Sequence, residues 1–324
     1  MCIMVRSTQQ AQQYASQHVA KHPEERPVQR TEEHREESAQ RTVKSAAKQT
    51  AKRTAKRPAS RPARKRSKAW VPDQHGAWFM VTVPALSGFV LAPSITGAAV
   101  LCTWWLGYFA FFAASVWMRA RFNSRHLKPV LVYAGLTAIA GLVTVALDWT
   151  LLRWVPLYLP LIAVAVWETY RHRPRSLASG VSTVIAACLI LPVVVSAGVV
   201  SHELSPALAF VPDTRVWAIT CVYLGFFVGT VPYVKTLIRN RGSRGWLIGS
   251  IAYHVAITVA AIVGTLLVAD SAILSWAVVV MAFVLLTRAT LMPIAGQRRA
   301  HPWTPKTVGL LDAFMTVLVV IAAW

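Results

Sequence analysis

The sequence predicts an all-α polytopic membrane protein, with about nine transmembrane helices behind a basic tail, the N-terminus inside and the C-terminus outside. Three observations predict it. Hydrophobic residues make up 55% of the 324-residue chain and the mean hydropathy is +0.45, too apolar for an ordinary soluble domain of this length. Nine stretches approach the roughly 20 apolar residues that cross a bilayer core. The connections between them alternate in charge, as the positive-inside rule requires.

The tail comprises residues 1–69. It holds 17 of the 34 Lys and Arg residues and 6 of the 13 acidic ones, so it carries +11 of the net +21. In residues 7–41 acidic pairs such as Glu24-Glu25 and Glu36-Glu37 alternate with Arg26, Arg30, Arg35 and Arg41, and a fleeting charged helix is the most they support. Residues 42–68 are of low complexity, mostly Ala, Lys, Arg and Pro, too poor in apolar surface to offset chain entropy. The expected role is a disordered polybasic arm on anionic lipid headgroups, where each cation contributes about 1 kcal/mol. Nucleic acid is the disfavoured partner, because no aromatic residue interleaves the charges of 42–68 to stack a base. No signal peptide is visible; the first spanning helix is expected to target the chain.

The membrane domain, residues 70–324, is read as spans 77–95, 97–118, 130–148, 150–169, 177–199, 215–238, 247–268, 272–294 and 306–324. Asp73 or Gln74 can cap the first,. Pro84, Pro93, Pro156, Pro160, Pro192 and Pro232 fall inside spans and predict kinks, which neighbouring helices tolerate. Loops 119–129, 170–176, 239–246 and 295–306 each carry three or four cations, while Glu203, Asp213 and Asp270 lie in the opposite connections with only Arg153 and Arg215 nearby. This alternation supports nine spans and places the basic loops in the cytoplasm of an inner-membrane protein. Trp and Tyr cluster near the span ends, as an interfacial belt does. Cys2, Cys102, Cys188 and Cys221 are far apart in sequence and read as small apolar packers, not metal ligands or disulfides.

Ionisable groups within a membrane are costly and often mark function. On this topology Asp73 and His75 sit at the inner mouth of the first helix. Glu168 and Lys235 lie near the inner surface, and His254 and Arg288 roughly 10 Å in, with Asp312 slightly shallower. All keep to the cytoplasmic half. The clustering predicts a cytoplasm-facing polar cavity for an anionic or lipid-like small molecule. His75 is the candidate hydrogen-bonding or proton-transfer group, Arg288 and Lys235 the anion contacts, and Asp312 and Glu168 their orienting partners. The bland account of each is snorkelling for Lys235 and Glu168, packing for His254, and a structural ion pair for Arg288 and Asp312. No phosphate loop, HExxH or GxSxG motif is present,, and no cofactor or metal is expected.

The segment Asp73-Gln74-His75-Gly76-Ala77-Trp78 resembles the (E/Q)HGAW signature of the YwiC-like family of bacterial membrane proteins. The resemblance covers about 70–324 and adds Trp78 to the candidate site. It implies a polytopic membrane protein and no established reaction, so whether the chain is an enzyme stays open. The nine-helix layout is also similar to UbiA-type intramembrane prenyltransferases, whose Asp-rich motifs hold Mg²⁺ and a diphosphate. The corresponding loops here carry Asn123 and Asn240 but no aspartate, and hard cations need carboxylate oxygens. Three readings therefore stand after the leading one: a transporter or permease, a degenerate prenyltransferase, and a scaffold that recruits partners through its tail. The odd span count and the lack of an internal repeat weigh against the transporter.

Overall fold

The structure is a computed structural model, and it describes residues 38–39, 41–48, 69–72, 75–197, 213–267, 276–298 and 303–324. The chain divides into two units, Met1–Arg66 and Ser67–Trp324. Within the first, residues 41–48 are helical and exposed. Ala and Lys are strong helix formers, and Thr42 Oγ1 donates to the Ser38 carbonyl at 2.8 Å. The expected disordered arm otherwise falls on 1–37 and 49–68, outside the described residues, as does Asp73.

The second unit consists of helices joined by short turns, with no strand among its described residues. Nine helices follow in order: α1 His75–Leu91, α2 Ile95–Arg119, α3 Leu127–Leu147, α4 Val155–Tyr170, α5 Leu177–Ser196, α6 Thr214–Leu237, α7 Arg244–Leu267, α8 Trp276–Arg298 and α9 Pro305–Ala323. Eight are long and apolar enough to cross a membrane, two of them counted with the short 3₁₀ turn that precedes them. The chain is therefore a multi-pass membrane protein. The remaining one, α1, has 17 residues and falls below that length.

Of the boundaries that differ from the sequence expectation, two do so for clear local reasons. The first span was expected to run to 95, but α1 stops at Leu91 and Pro93 lies in the link to α2. Ser94 then caps α2, its Oγ accepting from Gly97 N at 2.9 Å. Replacing Ser94 with Ala should cost about 1 kcal/mol, read as a lower thermal midpoint in detergent. The fourth span was expected from 150, but Trp149–Trp154 form a 3₁₀ turn. Asp148 Oδ1 accepts from both Thr150 N (3.0 Å) and Thr150 Oγ1 (2.6 Å) and so holds that turn. Pro156 falls in the first turn of α4, where its missing N–H costs nothing.

The interior is centred on α5 and α6, where Leu191, Val194, Ile219, Tyr223 and Phe227 are fully or almost fully buried. Tyr223 joins three elements: its hydroxyl shares a 2.9 Å hydrogen bond with Ser87 of α1 and accepts one from Trp324 Nε1 at 3.2 Å. α1 also packs on α2, where Trp104 Nε1 donates to the Val81 carbonyl at 2.9 Å. α3 is different. It lies against α2 and the two 3₁₀ turns at its ends, and touches no other helix.

Candidate functional site

The five N-terminal helices enclose a cavity of about 630 Å³. Its wall runs along α2 from Val100 through Thr103, Trp104, Gly107, Tyr108 and Phe111 to Ser115 and Arg119. These positions recur at three and four residues, so they share one helical face. The facing wall of α5 runs from Ser179 through Ser182, Thr183, Ala186 and Ala187 to Ile190 and Val193, again on one face. α1 supplies Ala77, Met80 and Val81, α3 supplies Thr137 and Thr144, and α4 supplies Tyr158, Leu161, Ile162, Ala165 and Thr169.

Charge on this wall is confined to one end. Among the described residues Arg119 and Arg175 are the charged side chains there, and no carboxylate lines the cavity. Arg119 closes α2, and its Nε donates to the Ser115 carbonyl at 3.0 Å. Arg175 lies in the link between α4 and α5. That link is held by Glu168, which is buried and receives Arg173 Nη2 at 3.0 Å. Arg239, just beyond α6, adds a third cation: its pKa is pushed down from the ordinary arginine value, first by partial burial and then by the charge of Arg175.

Most hydroxyls of the wall are already paired. Thr103 and Thr144 share a 2.9 Å bond across α2 and α3. Tyr158 donates to the Ala186 carbonyl at 3.1 Å, and Thr169, Ser182 and Thr183 donate to carbonyls of their own helices. Ser115 Oγ, one turn in from Arg119, is buried with no partner. A buried hydroxyl left unpaired costs about 1–3 kcal/mol, which a bound polar group would offset.

The candidates named from the sequence fall around this cavity and beyond it. His75 opens α1. Trp78 stands edge-on to Tyr108 and Phe109, at 5.8 and 5.6 Å between ring centroids, so it backs the cavity wall from outside. Asn123 caps the 3₁₀ turn before α3, accepting from Arg125 N at 3.0 Å. Lys235 lies over the Trp246 ring at 4.6 Å, a cation–π contact. His254 is buried, with Nδ1 2.8 Å from the Ser250 carbonyl. Arg288 meets Asp312 at 2.7 Å, joining α8 to α9, and lies 4.1 Å over the Tyr233 ring of α6. Its Nε and Nη2 are buried without a partner. The two ion pairs are separate, since α4 touches neither α8 nor α9. Arg288, His254, Lys235 and Asp312 lie off the cavity wall.

Sequence reasoning treated Arg119 and Arg175 as loop charges only, and passed over Ser115 and the hydroxyl face of α5. The signal that could have found them is the run Ser179, Ser182, Thr183, Ala186, Ala187 and Ile190, a small and polar stripe at helical spacing in an otherwise apolar span,.

Fold and cavity together define a multi-pass all-α membrane protein with an intramembrane cavity charged at one end. Over residues 71–195 the chain matches the family described as YwiC-like protein, as the Asp73–Trp78 segment leads one to expect. It is 29% identical over 189 residues to the uncharacterized protein YwiC of Bacillus subtilis, covering 58% of this chain and 74% of that one. An uncharacterized protein of Haemophilus influenzae is 24% identical over 191 residues, 58% of this chain and 75% of its own length. No solved structure matches. The matched segment spans α1 to α5 and contains every residue of the cavity wall, from Ala77 to Val193.

Proposed function

We propose that this protein binds an anionic or lipid-like small molecule in the cavity of α1–α5, with the anionic group at the end that the charge rule assigns to the cytoplasm. The observation that carries this reading is the distribution of charge: a long, largely apolar cavity with two arginines at one end and no carboxylate among the described residues of its wall. A ligand pocket is characteristically apolar with a few convergent polar groups, in the range of about 300–1,000 Å³. Arginine presents a planar fork of donors suited to carboxylate or phosphate oxygens.

The test is native mass spectrometry of the full chain released from membranes in mild detergent. The wild type is expected to carry an anionic or lipid adduct. Each charge-assisted contact is worth about 1.5–3 kcal/mol, so the double variant Arg119→Gln/Arg175→Gln should lose occupancy by at least about tenfold. Equal occupancy in the two proteins would contradict the reading. A Lys235→Gln variant, altered off the cavity wall, should retain the adduct.

A further inference from the structure

The cavity wall has a gap on one side. α3 and α4 are consecutive in the chain and both line the cavity, yet no Cα of α3 lies within 8 Å of one of α4. Every residue of both helices is described. They are joined only through the 3₁₀ turn Trp149–Trp154, which packs on both. α3 leans on α2 and α4 leans on α5 and α2, so the wall has a break between α3 and α4. Both helices expose apolar side chains: Leu136, Ile139 and Val143 on α3, Leu159 and Ile162 on α4. In a bilayer such a slot faces acyl chains, so a molecule already dissolved in the membrane can slide into it without crossing water.

The length of the cavity bears on the tail. From Val100 to Arg119 the α2 wall extends about 28 Å at about 1.5 Å per residue, close to the roughly 30 Å of a hydrocarbon core. The charge at its end bears on the head. Among the described residues two guanidinium groups line it and no carboxylate does, and a third cation, Arg239, is near enough to feel Arg175. A phosphate monoester, at about −1.5 to −2 near neutral pH, balances the two lining cations where a single carboxylate would leave one uncompensated. Ser115 Oγ, buried and unpartnered one turn deeper, is placed to hydrogen-bond a phosphate oxygen.

Resting on the binding reading above, we infer that the ligand is a single-chain phosphate monoester amphiphile, taken sideways from the membrane through the gap between α3 and α4. Its phosphate sits against Arg119, Arg175 and Ser115. Its chain follows the α2 wall toward Val100, Thr144 and Leu151.

The experiment uses the full chain in nanodiscs with hexadecyl phosphate that carries a diazirine at the chain terminus. After illumination, labelled residues are mapped by peptide mass spectrometry. Labels are expected around Val100, Thr144, Leu151 and Val193, the far end of the cavity. Unlabelled hexadecyl phosphate should compete at least about tenfold better than hexadecanol or inorganic phosphate. Leu159→Trp, which places a large ring on the exposed side of α4 and off the cavity wall, should slow labelling severalfold, while Leu310→Trp on the exposed face of α9 should not. Labels spread evenly over the lipid-facing sides of α6–α9 would overturn the inference, and this outcome does not depend on any variant folding. An unchanged rate in a stably folded Leu159→Trp protein would overturn lateral access. Equal competition by hexadecanol would overturn the phosphate head, and equal competition by inorganic phosphate would overturn the chain. In these last two cases binding in the cavity survives, as lipid-like or as anionic respectively. If the native protein also carries no adduct, the binding reading falls with it.

Discussion

Replacing Asp312 with Ala is expected to lower stability by about 3–5 kcal/mol, the cost of breaking a buried ion pair from one side. Arg288 is only 6% exposed at its side chain and Asp312 16%, so neither has enough water to take over the lost bond. The guanidinium has one charge-assisted hydrogen bond in this structure, the 2.7 Å contact to Asp312, with Tyr233 beneath its face. Nε and Nη2 are already unpaired. Losing Asp312 strips the remaining edge and leaves a buried, uncompensated cation. The paired change Arg288→Met/Asp312→Leu should recover most of the loss, since well-packed apolar side chains commonly replace such pairs at little cost. Thermal unfolding in a single detergent checks both. An Asp312→Ala midpoint equal to wild type would mean that the pair is not buried as described.

A change at Gly88 is expected to be comparably disruptive, for a reason of space. A Cβ there would lie 2.6 Å from the Leu191 carbonyl oxygen and 3.1 Å from Val194 Cβ. The nearest atom is backbone and cannot rotate away, so α1 must move off α5. Small residues at helix crossings allow this close approach in membranes, and overpacking typically costs about 1–3 kcal/mol. Gly88→Ala should fall in that range and Gly88→Leu should exceed it. Gly135→Ala, with nothing within 4 Å of the added atom, should be neutral or slightly stabilising in its helix. Because α1 carries Ala77, Met80 and Val81 of the cavity wall, Gly88→Leu should also reduce ligand occupancy. Matching midpoints for Gly88→Ala and Gly135→Ala would show that α1 and α5 do not pack this tightly.

The helices were legible in the sequence because a bilayer demands long apolar runs, and because Arg and Lys mark alternate connections. The ends were less so. Pro93 reads as a kink inside a span, yet it lies in the break after one, because Ser94 caps α2. The turn at Trp149–Trp154 is built by one carboxylate, Asp148, within a run whose hydropathy looks continuous.

The site was legible only in part. Charges at depth stand out in any membrane sequence, and they led to Arg288 and Asp312, which the structure brings together. The cavity is made of Gly107, Ala186, Thr183 and similar residues, none unusual singly. What makes them a cavity is that α3 packs on α2 and stands away from α4, a property of packing between segments that periodicity within one segment does not encode. Arg119 and Arg175 satisfy the positive-inside rule whatever else they do, so their convergence on one wall is visible only once α2 and the α4–α5 link are placed.

The most direct measurement is an electron cryomicroscopy map of the protein in a lipid nanodisc. The expected map has α3 and α4 apart, with elongated non-protein density from the arginine pair toward Val100. A map in which α3 closes against α4 and side chains fill the space between α2 and α5 would contradict it.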